Sequence, residues 1–174
     1  MRWNIDGSHS TAEFTVRHLM ITNVRGRFGK VSGSVDYDPA KPEASSFEAT
    51  IDASSIDTRD EKRDAHLRSA DFFDVEKFPT LTFKSKKVSK SDDGFTALGD
   101  LTMHGVTKEV TLEVEELSKP NKDPWGNQRV GASAHAKINR KDWGLGWNQA
   151  LETGGVLVGE HIDIEIDVEA IAKP

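Results

Sequence analysis

The residues that could do chemistry in this chain are six histidines and one dense group of charged side chains, because cysteine is absent. Without cysteine there are no disulfides, thiolate nucleophiles or Cys-based zinc sites. His9, His18, His66, His104, His135 and His161 are scattered, with no His-x-His or His-Glu-x-x-His spacing. A strand-built metal site needs two imidazoles on one face of one strand or of adjacent strands, so no metal is expected. His135 and His161 fall on the polar phases of their segments and should face solvent. His18 shares a face with Phe14 and Val16, where it would either hydrogen-bond a headgroup inside the protein or be a core histidine satisfied by backbone or water.

The dense group is Arg59, Asp60, Glu61, Arg63, Asp64 and His66. On a helix these residues spread over the face opposite Leu67, which is the pattern of a solvated amphipathic surface. No Gly-x-Ser-x-Gly elbow accompanies them, and no serine is tied by spacing to a particular His and Asp. Arg140, shortly before Trp143, reads as structural, pairing with a carboxylate or stacking on the indole. No catalytic residue is assigned.

The elements that would have to position such groups are strands. The chain has 174 residues, enough for one domain with one core. Its net charge of -6 argues against nucleic acid or an anionic membrane surface as the main partner, though a local basic patch is compatible with it. No run approaches the roughly 20 apolar residues of a membrane-spanning helix. The opening Met1-Arg2-Trp3-Asn4-Ile5-Asp6 lacks the features of a secretory signal, so the expectation is cytoplasmic, or periplasmic or secreted if a signal preceded it.

Apolar and polar residues alternate with the two-residue period of a half-buried strand over 10–20, 24–37, 46–54, 79–90, 94–104, 106–117, 128–140 and 158–171. In the last, Ile162, Ile164, Ile166 and Val168 alternate with Asp163, Glu165 and Asp167. The second changes phase around Gly29, as a β-bulge would. Asp93-Gly94 and Gly105 are hairpin signals that put their flanking strands antiparallel. Thr58 and Glu61 fit a capping box, predicting a helix from Arg59 to about Phe73 with an Asp64–Arg68 pair and with Leu67, Ala70 and Phe73 on one side. Pro79 forces an exit before the fourth strand. Two long loops, 118–127 and 144–158, suit a functional role.

Eight such strands make a sandwich or a closed barrel, and periodicity does not separate the two. A barrel of eight is either filled by side chains or just wide enough for one ligand. Ala132, Ala134 and Ala136 on one face of the seventh segment leave space along a wall, or else accommodate bulky neighbours.

More specific are Trp3-Asn4-Ile5-Asp6 with His9-Ser10, Phe14-Thr15-Val16-Arg17-His18, Val24-Arg25-Gly26-Arg27-Phe28, Ser55-Ile56-Asp57-Thr58, Arg63-Asp64-Ala65-His66-Leu67 and Asp71-Phe72-Phe73-Asp74. They are followed by Phe78-Pro79, the run from Gly99 to Lys108, Asn139-Arg140-Lys141-Asp142-Trp143-Gly144 and Val158-Gly159-Glu160. In this order and spacing, nearly end to end, the chain resembles the YceI-like family, with one departure: an aromatic other than Trp is common at the place of Trp143. The resemblance implies an all-β, eight-stranded antiparallel up-and-down barrel, lipocalin-like, with one short helix between strands 3 and 4. It also implies a polyisoprenoid, such as an isoprenoid quinone or prenol derivative, held in an elongated lumen.

On that basis the expected ligand contacts in the first half of the chain are Phe14, Val16, His18, Phe28, Phe47, Ala49, Ile51, Leu67, Phe72 and Phe73. In the second half they are Leu81, Phe83, Leu101, Met103, Val110, Leu112, Ala132, Ala134, Ala136, Trp143, Ile162 and Ile164. The expected function is non-catalytic binding, carriage or storage of a long isoprenoid lipid, with no nucleic-acid partner, no stable membrane insertion and homodimerisation left open. The competing functions are an enzyme acting on an apolar substrate in the same cavity, for which His18 is the candidate acid or base, and a filled barrel with a structural or stress-protective role.

Overall fold

The computed structural model describes residues 1–151 and 157–173. Among the described residues the chain forms eight antiparallel strands, three of them interrupted. The first strand, β1, comprises Arg2–Ile5 and Thr11–His18, separated by a 3-10 turn at Gly7–His9; β2 comprises Thr22–Phe28 and Val31–Asp36; β3 comprises Ser46–Asp52 and Ile56–Asp57. The remaining five are continuous: β4 (Thr80–Ser91), β5 (Gly94–Met103), β6 (Val106–Leu117), β7 (Gln128–Asn139) and β8 (Val158–Ala172). A two-residue strand at Asn121–Lys122 pairs with the start of β7, inside what reads from sequence as a loop.

Each strand pairs with the next, and β8 closes the barrel by pairing with β7 on one side and both pieces of β1 on the other. Eleven consecutive residue pairs, from Arg129↔Ile171 to Asn139↔His161, join β7 to β8. Closure decides between the two architectures that alternation permits, because a sandwich would leave the first and last strands as edges.

The phase change near Gly29 is not a bulge within one paired strand. Thr22–Phe28 pairs with the second piece of β1, whereas Val31–Asp36 pairs with the first piece, across Gly29-Lys30. The break lets the strand turn a corner while the short turn at Gly7–His9 does the same beside it. Arg2–Ile5, too short to show alternation, is the part of β1 that sequence periodicity does not reach.

One end of the barrel carries the β1–β2 turn, the helix, the His104-Gly105 turn and the connection from Arg140 to β8. The opposite end carries both termini, the β2–β3 connection and the loop after β6. The helix, α1, spans Glu61–Arg68, shorter than its pattern suggests. Its cap is Asp60, whose carboxylate accepts from the amides of Lys62 and Arg63 at 3.0 Å each, rather than Thr58. The Thr58 hydroxyl is already used: it donates to Asp64 at 2.5 Å, and the Thr58 amide donates to the same oxygen at 2.8 Å. Arg63 completes the knot by donating to the Thr58 hydroxyl and carbonyl.

Asp64 and Thr58 are therefore buried, and this part of the charged cluster is a structural network instead of a solvated face. Asp64 does not pair with Arg68, whose guanidinium donates to the carbonyls of Ser54 and Ile56. Of the three residues expected on the apolar side, Ala70 is exposed while Leu67 and Phe73 turn inward, Phe73 meeting Phe28 edge-on at 5.6 Å.

At the other end Arg129 bridges Asp6 (2.8 Å), Asp123 (2.7 Å) and Glu169 (2.6 Å), tying β7 to β8 and to the β1 turn. Asp6, His9 and Glu169 converge there as metal ligands would, but the guanidinium already supplies the positive charge. The Ser8 hydroxyl, Arg129 and His9 hold the Asp6 carboxyl well below the usual carboxylate range, and Arg129 does the same to Asp123.

Two measurements test these anchors. Asp64→Ala leaves two buried donors of Thr58 without an acceptor and should lower unfolding stability by about 1–3 kcal/mol in urea titrations; a loss no larger than at an exposed site would contradict the knot. For Asp6 and Asp123 the folded-state pKa lies below the unfolded one, so their contribution is present above about pH 4 and is lost as pH falls through the lowered values. The stability gap between the parent and Arg129→Met should accordingly be widest near neutral pH and close on acidification.

Candidate functional site: the barrel lumen

Alternation sends one side of every strand inward, and along the barrel those side chains enclose an elongated apolar cavity of about 310 Å³. It runs from Tyr37, Pro42 and Ser45 at the terminus-bearing end to Leu67, Phe72, Phe73 and Leu145 at the helix end. On β7 its wall extends from Val130 to Ile138, about 26 Å of strand at roughly 3.3 Å per residue. The volume lies at the lower end of ligand pockets, roughly 300–1,000 Å³, and far above a packing defect.

Space survives inside an eight-stranded barrel because small residues stand opposite large ones. Ala132 and Ala134 line the cavity on β7, as do Ala49 on β3 and Ala97 on β5. Two phenylalanine rings of the wall take up the space that a side chain at a glycine would need. A Cβ on Gly26 would collide with the Phe14 ring, and one on Gly99 would collide with the Phe83 ring. Phe47 stacks on Phe83, with centroids 5.5 Å apart, and joins the same wall.

Of the residues expected to touch ligand, all but three line this cavity: Phe14, Val16, Phe28, Phe47, Ala49, Ile51, Leu67, Phe72, Phe73, Leu81, Phe83, Leu101, Met103, Val110, Leu112, Ala132, Ala134, Ile162 and Ile164. His18 is not on the wall. Its neighbours in register are Thr22 and Val158, and of these Val158 lines the cavity while His18 does not. Ala136 is buried in the main hydrophobic core and is not on the cavity wall. Trp143 is an anchor, 2% exposed, its indole N–H donating to the Leu101 carbonyl at 3.0 Å.

Some wall residues escape sequence reasoning for identifiable reasons. Continuing the alternation finds Val114, Ile166 and Val168, but β4 slips register between Ser85 and Lys87, which moves Val88 onto the face that Phe83 occupies. Tyr37 continues the odd phase of Val31 and Val35 at the end of its segment, whereas Pro42 and Ser45 lie in the β2–β3 connection, where no period applies.

Polar side chains on the wall are few. Glu13 borders it but is exposed. Arg140 is buried and committed, donating to the carbonyls of Gly159 (2.8 Å), Trp147 (3.0 Å), Val158 (3.4 Å) and Leu145. It thus holds the loop after β7 against the start of β8 with four backbone oxygens, not with a carboxylate or an indole. Burial pulls its pKa down, with the Glu160 charge acting in the opposite sense. Over the same end, Trp147 stacks edge-on to His66 at 4.7 Å and tilts against Phe72 at 5.3 Å, joining loop to helix. The glycines of that loop at 154 and 155 lie outside the described residues.

The remaining polar groups are the hydroxyls of Tyr37 and Ser45. They follow and precede the pair Asp36↔Ser46 at the end of the β2–β3 ladder, and both residues line the cavity there. The Ser45 hydroxyl is buried without a hydrogen-bond partner among the described residues. Burial, then the Asp38 charge, raises the Tyr37 phenol above its ordinary value, which keeps it a neutral donor.

This architecture has close relatives. A family model described as a YceI-like domain matches residues 3–170. UPF0312 protein SAS2572 of Staphylococcus aureus is 40% identical over 168 residues, covering 96% of this chain and 95% of its own. Among solved structures, BcnA of Burkholderia cenocepacia superposes with a TM-score of 0.82 at 23% identity, covering 95% of this chain and 98% of its own. A polyisoprenoid binding domain from Saccharophagus degradans superposes with a TM-score of 0.70 at 15% identity, covering 98% of each chain. With the family model and the staphylococcal relative both spanning nearly its whole length, the chain belongs to the YceI-like family.

Proposed function

We propose that the protein binds a long polyisoprenoid lipid, such as an isoprenoid quinone or prenol derivative, in the barrel lumen and carries or stores it without chemical change. The observation that carries this reading is the continuous cavity reaching from one end of the barrel to the other with an almost wholly apolar wall. Each methylene it buries is worth about 0.8 kcal/mol, so an extended tail binds through length alone. The Saccharophagus neighbour, named as a polyisoprenoid binding domain on the same fold, supports the ligand class.

Turnover would need an acid or base on the wall. His18 lies off it, Glu13 borders it on an exposed side and Arg140 is spent on carbonyls, so among the described residues the buried polar groups left to meet a ligand are the Tyr37 and Ser45 hydroxyls. These suit a terminal carbonyl or hydroxyl, whose oxygen would satisfy the Ser45 donor, rather than a reaction.

Native mass spectrometry and solvent extraction of protein purified without added lipid test the proposal. A co-purifying long-chain isoprenoid in stoichiometric amount is expected; neither bound lipid nor uptake of an added polyprenol would refute it. Ala134→Phe places a ring in the channel and should shorten or expel the ligand. Overpacking a closed core typically costs about 1–3 kcal/mol, whereas here the lipid-free variant should keep the parent's stability because the cavity has spare volume. His18→Ala should leave lipid retention unchanged, and Ser45→Ala should weaken retention of an oxygen-terminated lipid by up to about tenfold, the worth of one hydrogen bond. Complete loss of binding in a folded Ser45→Ala protein would place recognition in the headgroup instead of the tail.

A further inference from the structure

The hairpin joining β1 to β2 departs from the rest of the surface in charge, polarity and backbone conformation. From Val16 to Phe28 the chain carries Arg17, Arg25 and Arg27 and no acidic residue, although the net charge is -6. All three arginines are exposed, and none is in an ion pair among the described residues; Arg17 reaches only the Asn23 side chain, at 3.4 Å. At the tip Leu19, Met20 and Ile21 are 38%, 51% and 69% exposed. Among the described residues the other exposed large apolar side chains, Met1 and Trp125, sit at the opposite end of the barrel.

The tip is a defined structure. The Ile21 amide donates to the His18 carbonyl at 3.1 Å, and the two residues between, Leu19 and Met20, have φ of 52° and 63°. Consecutive left-handed residues in a hairpin turn favour Asn-Gly, since a Cβ is crowded there. Leucine and methionine in those places sacrifice turn stability and gain nothing in the core, because both point to solvent. The Leu19 amide is fixed to the Leu157 carbonyl at 2.8 Å, which holds the finger against β8. On its other side the hairpin is free, since β3 reaches only Arg27 and Phe28 of β2.

An apolar tip rimmed by cations is matched by a bilayer surface, which takes apolar side chains at the boundary of headgroups and acyl chains and offers phosphate to arginine. The acids nearest in register, Glu13 and Asp57 flanking Arg27 and Asp163 across from Thr15, lie down the stem toward the barrel body. Glu160 on β8 is held by Lys141 at 2.7 Å. The negative body and positive tip orient the molecule tip-first at an anionic surface and keep attachment reversible. We propose that the Leu19-Met20-Ile21 tip with Arg17 and Arg25 is a docking finger for membranes containing anionic phospholipid, through which the barrel exchanges its lipid. The exchange rests on the lipid-binding reading above; the docking does not.

Flotation with vesicles of phosphatidylcholine alone, and of phosphatidylcholine mixed with phosphatidylglycerol, tests the finger directly. The parent should float with the mixed vesicles and less with the neutral ones. Leu19→Asn combined with Met20→Gly supplies the favoured turn and removes the apolar tip. Its binding should fall at least tenfold while its unfolding midpoint stays equal or rises, so loss of fold does not explain the loss of docking. Arg17→Gln and Arg25→Gln should each cost about fivefold on mixed vesicles, the equivalent of ~1 kcal/mol per basic residue near an anionic surface. Uptake of a soluble short prenol, measured in parallel, should be the same in all variants; if the parent floats but takes up no prenol, docking stands and the lumen reading falls. Failure of the parent to bind mixed vesicles, or equal flotation of the tip variant, overturns the proposal. So does a parent dimer that the tip variant dissolves in the absence of any vesicle binding, which would assign the tip to self-association.

Discussion

Pairing of β8 with β1 on one side and β7 on the other is the constraint from which the remaining structure follows. A sheet of eight half-buried strands has two edges and one apolar face, and closing it removes the edges and turns that face into an interior at once. Length serves the closure: β8 is 15 residues, long enough to span both pieces of β1, so the interruption at Gly7–His9 does not open a seam. Once the face is interior, its side-chain volumes decide whether the barrel is solid or hollow. Alanines on β3, β5 and β7, and rings set in the side-chain space of Gly26 and Gly99, make it hollow.

The ends of a hollow barrel must be closed by something other than sheet, and here each end relies on guanidinium groups. At the helix end Arg140 gathers four carbonyls, and Arg63 and Arg68 take carbonyls of the chain entering and leaving the end of β3. At the other end Arg129 is shared by three carboxylates from different elements. Guanidinium suits both tasks because its donors lie in one plane and reach several acceptors simultaneously. The conspicuous charges of the sequence are thus largely spent on construction, Arg140 on the lumen wall among them.

The charges not spent this way are unevenly placed. The acidic excess lies over the barrel body, while the β1–β2 hairpin projects arginines and apolar residues past the rim. On the proposed function the barrel has to meet the phase in which its lipid resides, and a protein of net negative charge approaches an anionic bilayer most favourably through such a local exception.

Strand alternation is a local property, so β3 through β8 and most of the lumen wall are legible in the amino-acid order: Ile162 and Ile164, Phe47 and Ala49, or Ala132 and Ala134 face inward because neighbours two apart in a strand share a face. The small residues of β7 are visible there too, but their size alone is compatible with spare volume or with bulky neighbours, and only the assembled barrel puts Ala132 and Ala134 on a cavity wall and Ala136 off it. Three things depend on partners far away in the chain. Closure is decided by the fit of β8 to β1, which no local period encodes. The inward set changes where register slips, as at Ser85, or where a strand breaks to turn a corner, as at Gly29-Lys30, because a shift of one residue exchanges faces. The fate of single polar residues is decided last: His18 has the phase of a lumen residue but is not on the wall, whereas Ser45 lies in a connection without a period and lines the lumen's end. Alternation specifies a side chain's direction, and only the assembled barrel decides what stands there to receive it.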